Sequence, residues 1–244
     1  MKVAIVGCGK MGSAIAKALI PHCDVLAIRR NPEKLELKCE KSSDIKRCRE
    51  ADVIIITLKP DVFRSSMREK IGKVAENRPV ISFMAGVSLK ELKDVSENVV
   101  KAMAPLSVES KKGVITYCSE GRADKIERAI EVLEKLGKPL EVEENVVDAS
   151  IAFASSVAFV VKLIEAAKIA GIRLGINAEI SRELAICSFE GALELYRKYG
   201  CEEVVDMICT PAGATVEGLT KLMECGGEWC LEEAIFSAGS RFLK

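Results

Sequence analysis

Three glycines near the N-terminus have the spacing of a phosphate-binding loop. They form the pattern G-x-G-x-x-G, which starts at Gly7. In such a loop Gly7 permits a tight turn, Gly9 lets the backbone approach a pyrophosphate, and Gly12 lets a helix pack closely on a strand. The free N–H groups of the first helical turn, with Lys10 and Met11, then face the phosphate charge. The pattern predicts a dinucleotide-binding loop; a glycine-rich turn without a ligand is the alternative.

Two arginines follow the next predicted strand. NAD-selective sites carry Asp or Glu at this point to bind the ribose hydroxyls, but this chain has Arg29, Arg30 and Asn31. A guanidinium pairs with a 2′-phosphate, which a carboxylate would repel. These residues predict NADP (NADPH) as the cofactor, with a solvated basic turn as the alternative.

Two further segments lie where predicted strands end. Lys59-Pro60 follows one strand and Ala85-Gly86 follows the next. Ligands bind at the carboxyl ends of parallel strands. We therefore expect Lys59 to reach the cofactor and the backbone at Ala85-Gly86 to lie near the nicotinamide ribose. A packing or capping role, with Pro60 starting a helix, is an equal alternative.

The elements that position these residues alternate between strands and helices. Strands are predicted over 2–6, 24–29, 53–58, 79–83, 99–103, 113–118 and 140–142. Helices are predicted over 11–20, 32–39 and 123–136. This alternation predicts an α/β Rossmann-type fold with a doubly wound parallel sheet. We assign residues 1–145 to an NADP-binding domain.

The remaining residues, 146–244, show only helical patterns and predict an all-helical second domain. The helices are expected over 146–170, 178–199, 202–208, 215–225 and 229–242. The segment 151–170 is apolar almost all round, so it must be buried. A neighbouring subunit is the natural cover. The helical domain therefore predicts a homodimer or a higher homo-oligomer.

Composition excludes several classes of partner. The 244 residues carry 36 basic and 36 acidic side chains and only 5% aromatics, which gives no reason to expect a nucleic acid. We find no apolar run long enough to span a bilayer, so we expect no membrane and a cytoplasmic location. Ten cysteines without a C-x-x-C pair, and one histidine, predict buried thiols and no metal site. With these partners excluded, we expect the protein to act on a small-molecule substrate.

A segment near the C-terminus carries a family resemblance. Thr210-Pro211-Ala212-Gly213-Ala214-Thr215 opens a predicted helix. Together with the glycine loop, Lys59-Pro60 and Ala85-Gly86 in the same order, it resembles the signature of pyrroline-5-carboxylate reductases. The resemblance covers nearly the whole chain. It implies a Rossmann domain, a helical domain that dimerises, and reduction of a cyclic imine to L-proline with NAD(P)H.

The resemblance also implies roles for single residues. Thr215 corresponds to the catalytic threonine that hydrogen-bonds the imine or amine nitrogen. Thr210 and Gly213 belong to the same substrate-binding signature. Ser155 and Ser156 correspond to a turn that holds the substrate carboxylate. Hydroxyl and N–H groups at a helix N-terminus suit such a small anion.

Some positions differ from the family pattern. Ala104-Pro105 lacks the family's asparagine, and Val157 and Phe159 replace a proline and a tyrosine. In the signature, Ala212 replaces a glycine and Ala214 replaces a threonine. Several of these positions lie on the substrate side, so an altered imine or keto substrate is an alternative.

Two other functions remain open. A β-hydroxyacid dehydrogenase shares this architecture and would use a lysine near the position of Lys162. The second is a regulatory protein that binds NADP without catalysis. The chain offers few acid–base groups near the expected site, which favours imine reduction over ketone reduction, because a ketone must also have its alkoxide protonated.

Overall fold

A computed structural model describes residues 1–241 of the chain. The chain divides into two compact units. One unit contains Met1–Ala154 and a C-terminal segment that begins at Ala238, and the other contains Ser155–Ser237. The first unit is an α/β fold and the second is helical.

The first unit is built on an eight-stranded sheet. Its strands in chain order are β1 (Lys2–Val6), β2 (Asp24–Ile28), β3 (Glu40–Ser42), β4 (Val53–Ile56), β5 (Val80–Ser82), β6 (Val99–Met103), β7 (Val114–Glu120) and β8 (Lys138–Glu141). Their order across the sheet is β3-β2-β1-β4-β5-β6-β7-β8. Because the chain moves outward from β1 in both directions, the point where the order reverses lies between β1 and β4, where such sheets bind ligands.

Helices cover both faces of this sheet. They are α1 (Lys10–Leu19), α2 (Pro60–Val62), α3 (Arg68–Ala75), α4 (Leu89–Lys93), α5 (Ala123–Leu136) and α6 (Glu144–Ala149). A π-helical turn over Phe63–Met67 joins α2 to α3. Alternate strand residues enter opposite cores: Val3 and Ile5 belong to the cluster that includes residues of α1 and α5, and Ala4 belongs to the cluster with Phe63 and residues of α3. Burial on both faces explains why β4 is an unbroken apolar run.

The Rossmann-type sheet predicted from the sequence is confirmed, but it is not parallel throughout. The first six strands are parallel, β7 runs antiparallel to β6, and β8 runs parallel to β7. The last strand lies at Lys138–Glu141, two residues earlier at its start than predicted.

The helix predicted over 32–39 is wrong. Only Pro32–Lys34 forms a 3-10 turn, Leu35 is extended, and residues 38–39 bend before the next strand. Leu35 and Leu37 are buried while Glu36 between them is exposed, a period of two that fits extended chain and not a helix. The segment then forms β3, an edge strand that the sequence analysis did not find.

The second unit contains helices alone among residues 155–237. The helices from this region onward are α7 (Ile151–Arg173), α8 (Ala178–Tyr199), α9 (Cys201–Ile208), α10 (Ala214–Glu224) and α11 (Gly227–Ser240). The predicted helix 146–170 is two helices, α6 and α7, which break at Ser150. The other predicted bounds agree within two residues, and residue 242 of the last prediction lies outside the described part of the chain.

Helices α7 and α8 approach each other closely. The Ser181 hydroxyl of α8 donates to the Lys168 carbonyl of α7 at 2.7 Å, and a Cβ at Gly171 would collide with that hydroxyl. Gly175, with φ +87°, ends the turn between the two helices. Asn177 caps the next helix by accepting from the Glu179 N–H at 2.8 Å.

The length and composition of α7 correct one prediction. Together with α6, it forms a stretch over Glu144–Arg173 that is long and apolar enough to cross a membrane, by length and composition alone. The statement that no apolar run is long enough is therefore wrong. Within the single chain only Ala152 of α7 is buried, and Phe153 is 67% exposed. The single chain leaves this helix exposed, and its burial against a neighbouring subunit stays a prediction.

Candidate cofactor and substrate sites

A groove of about 740 Å³ lies at the carboxyl ends of β1, β2 and β4. Residues of the glycine loop form one side, and residues after β2, β3 and β4 form the rest. The lining residues are Val6, Gly7, Cys8, Gly9, Ile28, Arg29, Arg30, Ser43, Ile45, Thr57, Leu58, Lys59, Val62, Ser66, Met67 and Lys70. It lies where the reversal of strand order places a ligand.

The glycine loop has the geometry that its sequence predicts. Gly7 adopts φ +99°, and a Cβ there would lie 2.7 Å from Cδ2 of Leu58. At Gly12 a Cβ would lie 2.5 Å from Oγ1 of Thr57 and 2.9 Å from the Gly7 carbonyl oxygen. The Thr57 hydroxyl locks this contact by donating to the Gly7 carbonyl at 2.8 Å. The packing of the protein itself therefore requires glycine at both positions, even without a bound ligand.

Gly9 is different because its surroundings are open. A Cβ at this position would meet only the Gly7 carbonyl oxygen, at 3.9 Å. Gly9 caps α1 without a side-chain hydrogen bond, so the N–H groups of Lys10, Met11 and Gly12 have no intrahelical acceptors. The first turn of α1 contains no acidic residue. The space and the donors together fit a pyrophosphate.

The outer part of the groove is strongly basic. Its lining includes Arg29, Arg30, Lys59 and Lys70 and no aspartate or glutamate. Among positions 1–241, none of these four side chains forms a hydrogen bond or an ion pair with another residue. Elsewhere in this unit many cations form ion pairs, as Arg64 does with Glu91 at 2.8 Å. Four unpaired cations in one groove favour a polyanionic ligand such as the phosphates of NADPH.

Several groove residues were missed by the sequence analysis. Ser43 and Ile45 come from the segment after β3, a strand of only three residues that gave no signal. Val62, Ser66 and Lys70 are each four residues apart in the segment after β4. This helical spacing could have indicated them, but the glycine motif does not. Asn31, predicted to hold the cofactor, is not among the lining residues; it precedes the Pro32–Lys34 turn.

A second hollow, of about 470 Å³, contains the other predicted cofactor residues. Pro60, Ala85 and Gly86 line it, together with Arg64, Ser88, Glu91, Lys101, Asp148 and Arg241. Pro60 occupies the first position of α2. Gly86 adopts φ +68°, and its carbonyl accepts a hydrogen bond from Arg64 at 2.6 Å. The loop at Ala85-Gly86 is thus held from one side by Arg64.

The short helix α4 follows this loop and is firmly capped. Ser88 and Glu91 form a capping box, with the Glu91 N–H donating to the Ser88 hydroxyl at 3.1 Å. Hydrogen bonding to Arg64 lowers the pKa of Glu91 to about 2. Glu91 is therefore ionised, and its carboxylate caps α4 and pairs with the arginine that holds the loop.

The thiols offer little chemistry. Burial raises the pKa of Cys8, which lines the first groove, to about 12, so this thiol is neutral at physiological pH. The ten cysteines are free. Cys8, Cys48 and Cys118 are buried as expected, but Cys187, Cys201, Cys225 and Cys230 are exposed in the single chain. Within residues 1–241 no group of three or more His, Cys, Asp or Glu side chains could hold a metal ion.

The predicted substrate residues all lie in the second unit. Ser155 and Ser156 are on α7, with Ser155 exposed. Thr210 and Gly213 form the turn before α10: the Gly213 N–H donates to the Thr210 carbonyl at 2.8 Å, and a Cβ at Gly213 would collide with the Thr210 hydroxyl. Thr215 is in the first turn of α10, beside N–H groups that have no helical acceptors.

Ala212 shows the cost of one departure from the family pattern. It adopts φ +58°, a left-handed conformation that favours glycine. Glycine is the residue that the related signature carries at this position. In this chain alanine takes that conformation in the turn that leads into α10.

Comparison with known proteins agrees with both units. Residues 143–243 match the family model of pyrroline-5-carboxylate reductase dimerisation, and residues 2–86 match a model described as NADP oxidoreductase, coenzyme F420-dependent. A pyrroline-5-carboxylate reductase of Helicobacter pylori is 32% identical, over 94% of this chain and 94% of the relative. One of Aquifex aeolicus is 28% identical, over 96% of this chain and 94% of the relative.

A solved structure has the same fold. The crystal structure of Plasmodium falciparum pyrroline carboxylate reductase, with NADP bound, has a TM-score of 0.88 and 22% sequence identity, and the match covers 100% of this chain and 97% of the other. The identity to the Helicobacter protein over nearly the full length establishes the relationship by sequence. The chain belongs to the pyrroline-5-carboxylate reductase family.

Proposed function

We propose that this protein reduces pyrroline-5-carboxylate to L-proline with NADPH, the reaction for which its relatives are named. One observation supports the cofactor most directly: four unpaired cations and no carboxylate line a groove that ends at an open glycine loop. The family supports the substrate. The reaction belongs to proline biosynthesis.

The residues of the first unit fit NADPH along its length. The N–H groups at the start of α1 would bind the pyrophosphate, and Arg29 and Arg30 would hold the 2′-phosphate. Ala85 and Gly86 would lie beside the nicotinamide ribose. When bound, NADPH supplies the hydride for the imine carbon. Addition of that hydride to the protonated imine would give the amine of L-proline.

The second unit would supply the substrate side. Thr215 would hydrogen-bond the nitrogen, and Ser155, Ser156, Thr210 and Gly213 would hold the carboxylate. The uncapped start of α10 supports this assignment, because free N–H groups favour an anion there. A protonated imine is already electrophilic, so it needs positioning more than a strong acid.

The helical unit would form a homodimer or a larger homo-oligomer. Its match to a dimerisation family supports an oligomer. The exposed apolar side chains Phe153, Val161 and Leu174 supply a surface for a second copy. Burial of α7 between subunits would account for its apolar character without a membrane. The free thiols fit a reducing cytoplasm.

A spectrophotometric assay tests the function. The purified protein is mixed with pyrroline-5-carboxylate and NADPH, and loss of absorbance from NADPH is followed while L-proline is quantified. We expect equal amounts of NADP⁺ and L-proline. Saturable NADPH binding without turnover would favour a regulatory protein. Turnover of a β-hydroxyacid that is lost in Lys162→Ala would favour a dehydrogenase.

A further inference from the structure

Of the buried residues in positions 1–241, Lys101 is the one that has a charged side chain. It lies in the middle of β6, a strand buried along its length, and its side chain is 1% exposed. Burial of an ammonium group is unfavourable unless other groups compensate its charge. A lysine inside an apolar strand therefore needs partners that compensate its charge, and its presence there needs a functional or structural explanation.

The partners of Lys101 come from α6. Its Nζ donates to Oδ2 of Asp148 at 2.7 Å and to Oε1 of Glu144 at 3.1 Å. The two carboxylates are four residues apart and so project from the same face of the helix. The ammonium group thus bonds one strand of the sheet to a helix that follows β8.

Glu144 extends this network to a third segment. Its Oε1 also accepts the backbone N–H of Leu89 at 2.8 Å, the first residue of α4. One carboxylate oxygen therefore joins β6, α6 and the end of the loop that contains Ala85 and Gly86. Arg64 holds the same loop from its other side through the Gly86 carbonyl.

The network also borders the second hollow. Lys101 and Asp148 line it together with Ala85 and Gly86. The other oxygen of Asp148, Oδ1, is buried and has no hydrogen-bond partner among the described residues. The buried Lys101 and its partly exposed carboxylate partners are thus adjacent to the place where the proposed function puts the nicotinamide.

We propose that Lys101 is a positioning residue for hydride transfer, acting through Glu144 and Asp148. It fixes the loop at Ala85-Gly86 relative to the sheet, and with it the nicotinamide ring. The inference rests on the proposed function. The two carboxylates more than balance the charge of Lys101, so Lys101 is not assigned a contact with the substrate. Well-packed neutral groups often replace a buried ion cluster without loss of stability, so a stability role alone would not require these three charges.

The test removes all three charges together. In Lys101→Met/Glu144→Gln/Asp148→Asn no charge is left uncompensated, so the variant should fold and its thermal midpoint can be compared with that of the wild type. We expect kcat to fall about 10–100-fold, as small misplacements of reacting groups do. The KM for NADPH should change by less than about threefold, because the phosphate groove is intact. The kinetic isotope effect with NADPH deuterated at the transferred position should increase.

Two single variants complete the design. Lys101→Arg keeps a cation that can pair with both carboxylates, and we expect it to restore most of kcat. Lys93→Met is the matched control, since this exposed lysine at the end of α4 pairs with Glu120 at 3.4 Å and donates to the Glu97 carbonyl at 3.5 Å, both outside the hollow. It should behave as the wild type.

The outcomes separate the inference from the function beneath it. A folded triple variant with the kcat and isotope effect of the wild type would overturn the inference. A loss of activity that is fully explained by a smaller fraction of folded protein would also overturn the inference. A wild-type protein that does not reduce pyrroline-5-carboxylate would overturn both the inference and the proposed function.

Discussion

The basic side chains of the cofactor groove and the glycines of its loop have different roles. Arg29 and Arg30 have no partners in the described structure and supply charge, whereas Gly7 and Gly12 supply space for backbone packing. Gly9 alone faces open space. Charge, packing and ligand access can therefore be changed separately, one residue at a time.

Reversing the charge of Arg30 should change cofactor preference. In Arg30→Glu we expect kcat/KM for NADPH to fall about 10–100-fold, the loss of one charge-assisted contact to the 2′-phosphate. The value for NADH should change little, because NADH lacks that phosphate. Steady-state kinetics with both cofactors measure the ratio, and Lys38→Glu, an exposed charge outside the groove lining, is the control. An equal loss with both cofactors would refute the role.

Two glycine variants should separate binding from folding. Gly9→Ala should leave the thermal midpoint within about 2 °C of the wild type, yet raise the Kd for NADPH more than about tenfold, because its methyl group occupies the phosphate space. Gly12→Ala should lower the free energy of unfolding by about 1–3 kcal/mol, because its methyl group meets Thr57. Calorimetry of unfolding and of NADPH binding reads both effects. Tight NADPH binding by Gly9→Ala would contradict this account.

Residues in the glycine loop or at the ends of predicted strands were the ones that could be predicted. The glycine loop and Arg29-Arg30 lie within one β-α-β unit, so local spacing locates them. Ser43 and Lys70 reach the same groove from other segments, which only the folded sheet brings together. Lys101 did carry a signal, a lysine inside an apolar strand, but its partners Glu144 and Asp148 are more than forty residues away.

At the scale of elements, strong periodicity was predictive and weak periodicity was not. Helix α5 was predicted with its observed bounds, since its apolar residues follow a clear helical spacing. Strand β3 was missed because Glu-Lys-Ser at a sheet edge has no apolar pattern. The antiparallel direction of β7 has no local signal either, since strand direction depends on the connection and not on composition.

The anchoring of α4 should depend on pH through Glu91. Its folded-state pKa, about 2, lies below the ordinary value of 4.5 because of Arg64. The ionised carboxylate therefore stabilises the fold above about pH 4.5, and this contribution is lost as the pH falls toward 2. We expect Glu91→Gln to be less stable than the wild type near neutral pH, with the difference shrinking on acidification.

Denaturant titrations at several pH values measure that difference. The control is Glu97→Gln, an exposed carboxylate without an ion pair among residues 1–241. It measures the effect of removing an exposed carboxylate that has no such pair. A Glu91→Gln difference from the wild type that does not shrink on acidification would contradict the linkage to Arg64.

At the scale of the whole molecule, the two units differ in how far one chain completes them. The α/β unit has two continuous cores, one on each face of its sheet. The helical unit leaves large apolar side chains exposed, and Leu174 is 81% exposed. The hydrophobic effect favours covering such a surface, which agrees with the match to a dimerisation family.

A charge on the exposed side of α7 should prevent assembly. Val161 is 57% exposed in the single chain, so Val161→Glu should leave the chain able to fold but turn the oligomer into monomers, with loss of activity. Leu106→Glu, at a comparably exposed position in the α/β unit, should remain an oligomer. Light scattering coupled to size exclusion measures the mass. An active wild-type monomer, or a protein that requires detergent and floats with lipid vesicles, would contradict the assembly.

The most direct measurement follows the hydride itself. The protein is incubated with pyrroline-5-carboxylate and NADPH that carries deuterium at the transferred position of C4, and the L-proline formed is analysed by mass spectrometry. The account predicts L-proline heavier by one deuterium at C5, with one NADP⁺ formed for each proline. Unlabelled proline, or no proline from a protein that binds NADPH, would contradict it.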